Sequence, residues 1–332
     1  MIDSIRWGII GCGNVAEFKS GPPLYQTPGS QLVAVMRRDA AKAADFAQRH
    51  GAQRWYTEAE ALIADAAVNA IYIASPHYQH AAHVKVAANA GKIVLCEKPM
   101  GISVAEAQAC VDVCRANNVS LAVAYYRREW PIVQTMRELL NNGAIGRVVA
   151  ARIHLADYFA GDPDRPWLTS KALAGGGALA NAGSHWIDLV RYLLGDVISV
   201  NAQCSSHVSG FETEDTIVVQ LETITQALVS VSITQQSPIN ANEFEISGTH
   251  GRLRATSLAD GQLIIDRVGE KTQTLSLSRS RFAHAEFIAV LIDRLRSGQP
   301  SPIPGEEGVA TWRIMDAAYR ACETGARQRI MA

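Results

Sequence analysis

Short apolar runs and amphipathic stretches take turns over roughly the first 125 residues. The runs at 6–11, 31–36, 70–74, 92–95 and 121–124 are apolar nearly throughout, the pattern of strands buried on both faces. Between them, helical periodicity is expected over 40–50, 58–64, 78–90 and 104–117. A first helix is expected to be short, interrupted by Gly21-Pro22-Pro23. Strict alternation of strand and helix predicts an α/β domain with a doubly wound parallel sheet over 1–124. Past that point the pattern changes. A helix over 131–142 precedes a long strand at 146–157, an irregular stretch over 158–177 and a helix over 183–194. Strand-like runs then follow at 198–207, 216–222, 227–235, 244–248, 253–256 and 263–268, separated by turn signals such as Ser209-Gly210 and Asp260-Gly261. Helices over 282–297 and 306–324 close the chain. The second domain, 125–332, therefore reads as α+β with a large open, mainly antiparallel sheet, its C-terminal helix able to return to the first domain.

Composition narrows the function classes. The chain has 332 residues, with 31 basic against 32 acidic residues, and no block of like charge suits nucleic acid or a membrane surface. None of its apolar runs is long enough to span a bilayer, and Met1 leads directly into the first strand. Cys12, Cys96, Cys110, Cys114, Cys204 and Cys322 form no CxxC pair and no zinc-type spacing, so no metal is expected and a reducing cytoplasm is the expected location.

Several clusters carry candidate chemistry. Gly11-Cys12-Gly13-Asn14-Val15-Ala16 fits G-x-G-x-x-A between a strand and a helix. Gly11 permits the turn, Gly13 lets a pyrophosphate approach the backbone, and Ala16 lets helix and strand pack closely. The second strand ends in Arg37-Arg38, where a carboxylate would select NAD. Two guanidinium groups suit a 2′-phosphate, so NADP is favoured and NAD remains open, with Asp39 expected to cap the next helix. Glu97-Lys98-Pro99 sits at the carboxyl end of the strand at 92–95, the edge where open α/β sheets bind ligands. A lysine there can hydrogen-bond a substrate hydroxyl or move a proton. Gly175-Gly176-Gly177 leads to Asn181, His185 and Asp188. Asn181 and His185 share a face if helical, and a histidine in a cleft suits general acid/base work. Asp188, three residues after His185, is placed to cap or pair locally instead. His77, His80 and His83 drift around a helix and are not expected to hold metal, while His80 falls at the cofactor edge.

In that order and spacing these motifs resemble the glucose–fructose oxidoreductase/inositol dehydrogenase/rhizopine-catabolism (Gfo/Idh/MocA) family over nearly the whole chain. Ser75-Pro76 with His80 is similar to its T-P-x-x-x-H. Ala90-Gly91-Lys92 with Glu97-Lys98-Pro99 is similar to its A-G-K…E-K-P, and 175–188 to its G-G-G-x-L-x-D-x-G-x-H-x-x-D. The resemblance implies a Rossmann domain, a sheet domain that assembles a homo-oligomer (dimer or tetramer), and reversible hydride transfer between NAD(P) and a hydroxyl-bearing carbon of a sugar or polyol. It implies that Lys98 hydrogen-bonds the reacting oxygen and that His185 is the acid/base, with Asn181 beside it. Gly11, Gly13, Asn14, Val15, Arg37, Arg38, Ser75, Pro76, His80, Glu97, Lys98 and Trp167 would hold the cofactor. Lys98, Tyr126 and His185 would face the substrate. The sequence departs from the family at Asn181, where a carboxylate is usual, and at His77, Tyr126 and Leu168. An amide can orient the imidazole but cannot stabilise imidazolium by charge, which leaves more of the proton work to Lys98. Two other functions fit the same motifs: a nicotinamide-dependent glycosidase that cycles its hydride internally, and an NADP-binding sensor with impaired catalysis.

Overall fold

The structure is a computed structural model that describes residues 3–330. The chain forms two compact units. One comprises the residues up to Tyr126 together with Ser280–Ala310, and the other comprises Arg127–Arg279 with the residues from Thr311 onward.

The first unit is built on six parallel strands: β1 (Ile5–Ile10), β2 (Ser30–Met36), β3 (Arg54–Tyr56), β4 (Ala70–Ile73), β5 (Ile93–Cys96) and β6 (Leu121–Val123), in the order β3-β2-β1-β4-β5-β6. The order reverses between β1 and β4, which creates a crevice at the carboxyl ends of these two strands. Ile5, Trp7, Ile9 and all of β4 are buried because helices cover both faces, which is why these strands read as continuous apolar runs. The short edge strand β3 escapes the hydrophobic pattern, because it carries Arg54 and an exposed Trp55. Gly21-Pro22-Pro23 does not interrupt the first helix as expected. A wide turn, Ala16–Ser20, passes directly into a helix, Gly21–Gln26, whose first turn takes the prolines where their missing N–H groups cost nothing. Gly21 is needed at the junction, since a Cβ there would lie 2.2 Å from the Ala16 carbonyl oxygen.

The second unit carries a nine-stranded sheet: β7 (Val148–Tyr158), β8 (Val197–Ser205), β9 (Thr216–Thr223), β10 (Leu228–Thr234), β11 (Gln236–Gly248), β12 (Gly251–Ala255), β13 (Gln262–Arg267), β14 (Gln273–Ser276) and the two-residue β15 (Gln328–Arg329), in the order β14-β13-β12-β11-β7-β10-β9-β8-β15. All neighbours are antiparallel except β7 and β10. One face is apolar: Ile217, Val219 and Leu221 of β9 and Val229, Val231 and Ile233 of β10 are buried. The helix Ser184–Leu194 belongs to this core, with Trp186 edge-on to Phe244 at 5.7 Å between ring centroids.

Candidate active site

In the first unit the carboxyl ends of the strands bring most of the expected cofactor residues together. Gly11 leaves β1 with φ +87°, and a Cβ there would lie 2.7 Å from the carbonyl oxygen of Ala74 and the nitrogen of Ser75. Only glycine fits such a backbone without strain. At Gly13 a Cβ would meet nothing within 4 Å. The second glycine is thus not required for packing, and the space beside it is open. Asn14 and Val15 lead into the turn at Ala16–Ser20. Arg37 follows β2, and its Nη1 lies 3.3 Å from the Cys12 carbonyl, so the guanidinium rests along the glycine loop, while Arg38 is exposed. Asp39 caps the next helix, accepting from the Lys42 N–H at 3.1 Å.

Ser75-Pro76 ends β4 and starts the helix His77–Asn89. On that helix His80 is fully buried, with Nδ1 2.8 Å from the Pro99 carbonyl and Nε2 2.7 Å from the Ser75 carbonyl. It ties the loop after β4 to the loop after β5. Burial pushes its pKa down against the two carbonyls that favour a proton. His83 approaches the Ser75 hydroxyl at 3.0 Å.

Glu97 and Lys98 follow β5, and the Lys98–Pro99 bond is cis. The Glu97 carboxylate faces inward. Its Oε1 accepts from the Tyr72 hydroxyl at 2.7 Å and lies 2.8 Å from His284 Nε2, and its Oε2 accepts from the Lys98 backbone N–H at 3.2 Å. Burial alone would raise its pKa, but His284, the Tyr72 hydroxyl and Lys98 outweigh that and hold it down at about 2. Tyr126 lies over His284 with ring centroids 3.8 Å apart.

The second unit holds Asn181 and His185 on one continuous helical stretch. Leu179–Gly183 forms a π-turn and Ser184–Leu194 the α-helix after it. Such π-turns are frequent at functional sites. The three glycines ahead of it have specific causes. A Cβ on Gly176 would lie 1.9 Å from the Tyr319 hydroxyl, and one on Gly177 would lie 2.0 Å from the Glu214 carbonyl oxygen. Gly175, at φ +76°, ends the helix Lys171–Ala174. Glu214 holds this loop by its side chain, accepting from the Gly177 and Leu179 N–H groups at 2.7 and 2.9 Å and from the Tyr319 hydroxyl at 3.0 Å. Burial raises its pKa despite those donors. Asn181 lines a small pocket with Phe159, Phe211, Thr213 and Gln235. His185 is nearly buried. Asp188 has a distant partner. It takes a three-bond grip from Arg128, Nε to both oxygens at 3.1 Å and Nη2 to Oδ1 at 2.6 Å, and both side chains are buried. Trp167 sits in the turn Pro166–Thr169, and the neighbouring Leu168 is buried.

Tyr72, His284, Glu214, Tyr319 and Arg128 support these residues without belonging to a motif. Arg128 stands in the conspicuous Tyr125-Tyr126-Arg127-Arg128 run. His284 meets Glu97 across 187 positions and has no local signal.

Comparison with known proteins agrees with both halves. Residues 5–125 match the oxidoreductase family NAD-binding Rossmann fold, and residues 133–254 match the GFO/IDH/MocA C-terminal domain. The chain is 43% identical over 204 residues to Oxidoreductase P35 of Formosa agariphila, covering 60% of this chain and 64% of that protein. It is 31% identical over 253 residues to trans-1,2-dihydrobenzene-1,2-diol dehydrogenase of Macaca fuscata fuscata, covering 75% and 73%. Levoglucosan dehydrogenase, solved in complex with NADH and levoglucosan, shares the fold at TM-score 0.88 with 22% identity, over 99% of this chain and 100% of the other. The six-stranded parallel unit with its glycine turn, the mixed sheet with its G-G-G…His185 helix, and these matches place the chain in the GFO/IDH/MocA oxidoreductase family.

Proposed function

We propose that this chain transfers a hydride between a nicotinamide dinucleotide, NADP in preference to NAD, and a hydroxyl-bearing carbon of a sugar, polyol or related cyclic diol. The observation that carries the reading is Lys98 at the carboxyl end of β5, its backbone N–H held by the buried Glu97 carboxylate, in the same unit as the glycine turn. The dinucleotide fits this unit. The open space beside Gly13 admits a pyrophosphate, and Arg37 lying along the loop suits a 2′-phosphate. The nicotinamide supplies the hydride acceptor or donor. Asn14, Val15, Ser75 and Pro76 line the strand ends that would hold it, and Trp167 is assigned to the cofactor as well. Lys98 donates a hydrogen bond to the reacting oxygen, and His185 takes or returns the hydroxyl proton. Asn181 orients the imidazole by its amide. Tyr126 faces the substrate. The names of the relatives support a cyclic substrate with neighbouring hydroxyl groups.

The test mixes purified protein with NADPH or NADH and follows 340 nm absorbance against sugars, ketoses, anhydrosugars and cyclic diols in both directions. Turnover of at least one of these, faster with the phosphorylated cofactor, is the expected result. Tight cofactor binding with no turnover anywhere in the panel would overturn it in favour of a sensor, and sugar release without net cofactor change would favour a glycosidase. Arg37→Ala should weaken NADPH about tenfold, some 1.4 kcal/mol, and NADH much less. Equal loss for both cofactors would refute the 2′-phosphate contact.

A further inference from the structure

After the sheet, the chain returns to the first unit as Ser280–Ala310 and brings a histidine beneath the reacting lysine's strand end. His284 is 1% exposed. Its Nε2 lies 2.8 Å from Glu97 Oε1, its backbone N–H donates to the Lys19 carbonyl at 3.2 Å, and Tyr126 lies over its ring. Tyr72 reaches the same carboxylate oxygen and sits 2.7 Å from the Ser20 hydroxyl. A buried polar pair is weak evidence for stability, because apolar residues of similar volume would serve as well. A pair of this kind placed one residue from Lys98 has another use.

We propose that His284 is a positioning residue for Lys98: with Tyr72 it fixes one oxygen of Glu97, so that the other holds the Lys98 backbone N–H and sets the direction in which the lysine leaves β5. This rests on the role given to Lys98 above. The groups facing Glu97 are Tyr72 from β4, with Ser20 of the first turn behind it, Lys98 from its own strand end, His80 from the helix after β4, and His284, with Tyr126 behind the last. When the His284 donor is lost, burial acts on Glu97 with less opposition, and the carboxyl takes up its proton at higher pH.

The experiment compares His284→Phe, which keeps a ring under Tyr126 but donates nothing, with His284→Gln, which keeps a donor. For His284→Phe, kcat on a panel substrate should fall tenfold or more, with KM and the cofactor Kd within threefold. The Glu97 carboxyl titration, followed by carbon-13 resonance, should rise by at least one pH unit. His284→Gln should recover part of kcat, and in a Glu97→Gln background the His284→Phe change should cost almost nothing further. Unchanged kcat and Glu97 titration in His284→Phe, or an undiminished loss in the Glu97→Gln background, would overturn the inference. If His284→Phe does not fold, His284→Gln in both backgrounds gives the same comparison. Lys98→Met separates the two readings: abolished turnover there keeps the proposed function whatever His284 does, and undiminished turnover removes it. If no substrate in the panel reacts, carbon-13 titration of the Glu97 carboxyl and the Lys98 amide resonance in the apoprotein decide. Both should move in His284→Phe, and neither moving would overturn the proposal.

Discussion

Gly11 and Gly13 stand two residues apart in the same motif, yet alanine at each should fail in a different assay. At Gly11 the backbone has φ +87°, and the new Cβ would lie 2.7 Å from the Ala74 carbonyl oxygen and the Ser75 nitrogen, which are backbone atoms that cannot turn aside. Left-handed strain of about 1–2 kcal/mol adds to overpacking of about 1–3 kcal/mol, so Gly11→Ala should lose about 2–5 kcal/mol of stability. For a domain of this size that is a fall in Tm of roughly 5–15 °C. At Gly13 the Cβ meets nothing within 4 Å, so Gly13→Ala should keep apoprotein stability within about 0.5 kcal/mol of the parent. The same methyl group would occupy the space a pyrophosphate needs, and NADPH affinity should fall about tenfold or more, some 1.4 kcal/mol. Circular-dichroism melts of the apoproteins and fluorescence titration with NADPH separate the two effects. A Gly13→Ala protein that melts as early as Gly11→Ala, or that binds NADPH as tightly as the parent, would refute the assignment of one glycine to the fold and the other to the cofactor.

Two further outcomes follow from the supporting shells. Gly176→Ala puts a Cβ 1.9 Å from the Tyr319 hydroxyl and should cost about 1–3 kcal/mol in urea melts, but less than about 0.5 kcal/mol in a Tyr319→Ala background; an equal cost in both would show that Tyr319 is not the obstacle. The Glu97 carboxyl is held at about 2 against an ordinary 4.5, so its contribution is fully present above the unfolded value and is lost as pH falls from 4.5 to 2. That contribution is about 3 kcal/mol, and Glu97→Gln should show a correspondingly flatter loss of stability across this range, whereas parallel pH–stability curves would contradict the burial and pairing of this group.

The parts of the fold that the chain spells out locally were legible in the residues. The helix Ala40–His50, its Asp39 cap and the buried strands of the first sheet follow from patterns within a few residues of one another. The G-x-G-x-x-A turn was legible because its glycine at φ +87° has a steric cause. What escaped depends on partners far along the chain. Arg54–Tyr56 pairs as an edge strand although its alternation is too short to register, and Gln328–Arg329 joins β8 with only two residues. Asp188 looked local, but its partner Arg128 is 60 positions away. Prolines at 22 and 23 read as a break because their place in the first turn of a new helix depends on the wide turn before them. The G-G-G motif was visible, whereas its reason lies in Tyr319 and Glu214, which only the fold brings to it. His284 has no motif at all and becomes part of the lysine's surroundings only because Ser280–Ala310 returns to the first unit.

In the proposed function, Lys98 handles the reacting oxygen of a substrate reduced or oxidised by a bound nicotinamide. The most direct measurement is the single-turnover rate of NADPH oxidation at 340 nm, in the parent and in Lys98→Met, with a carbonyl substrate from the panel and with cofactor binding checked separately by fluorescence. Lys98→Met should lose at least 100-fold in the chemical step, about 2.7 kcal/mol, with NADPH affinity changed by less than threefold. A Lys98→Met protein that oxidises NADPH at the parent rate would contradict it.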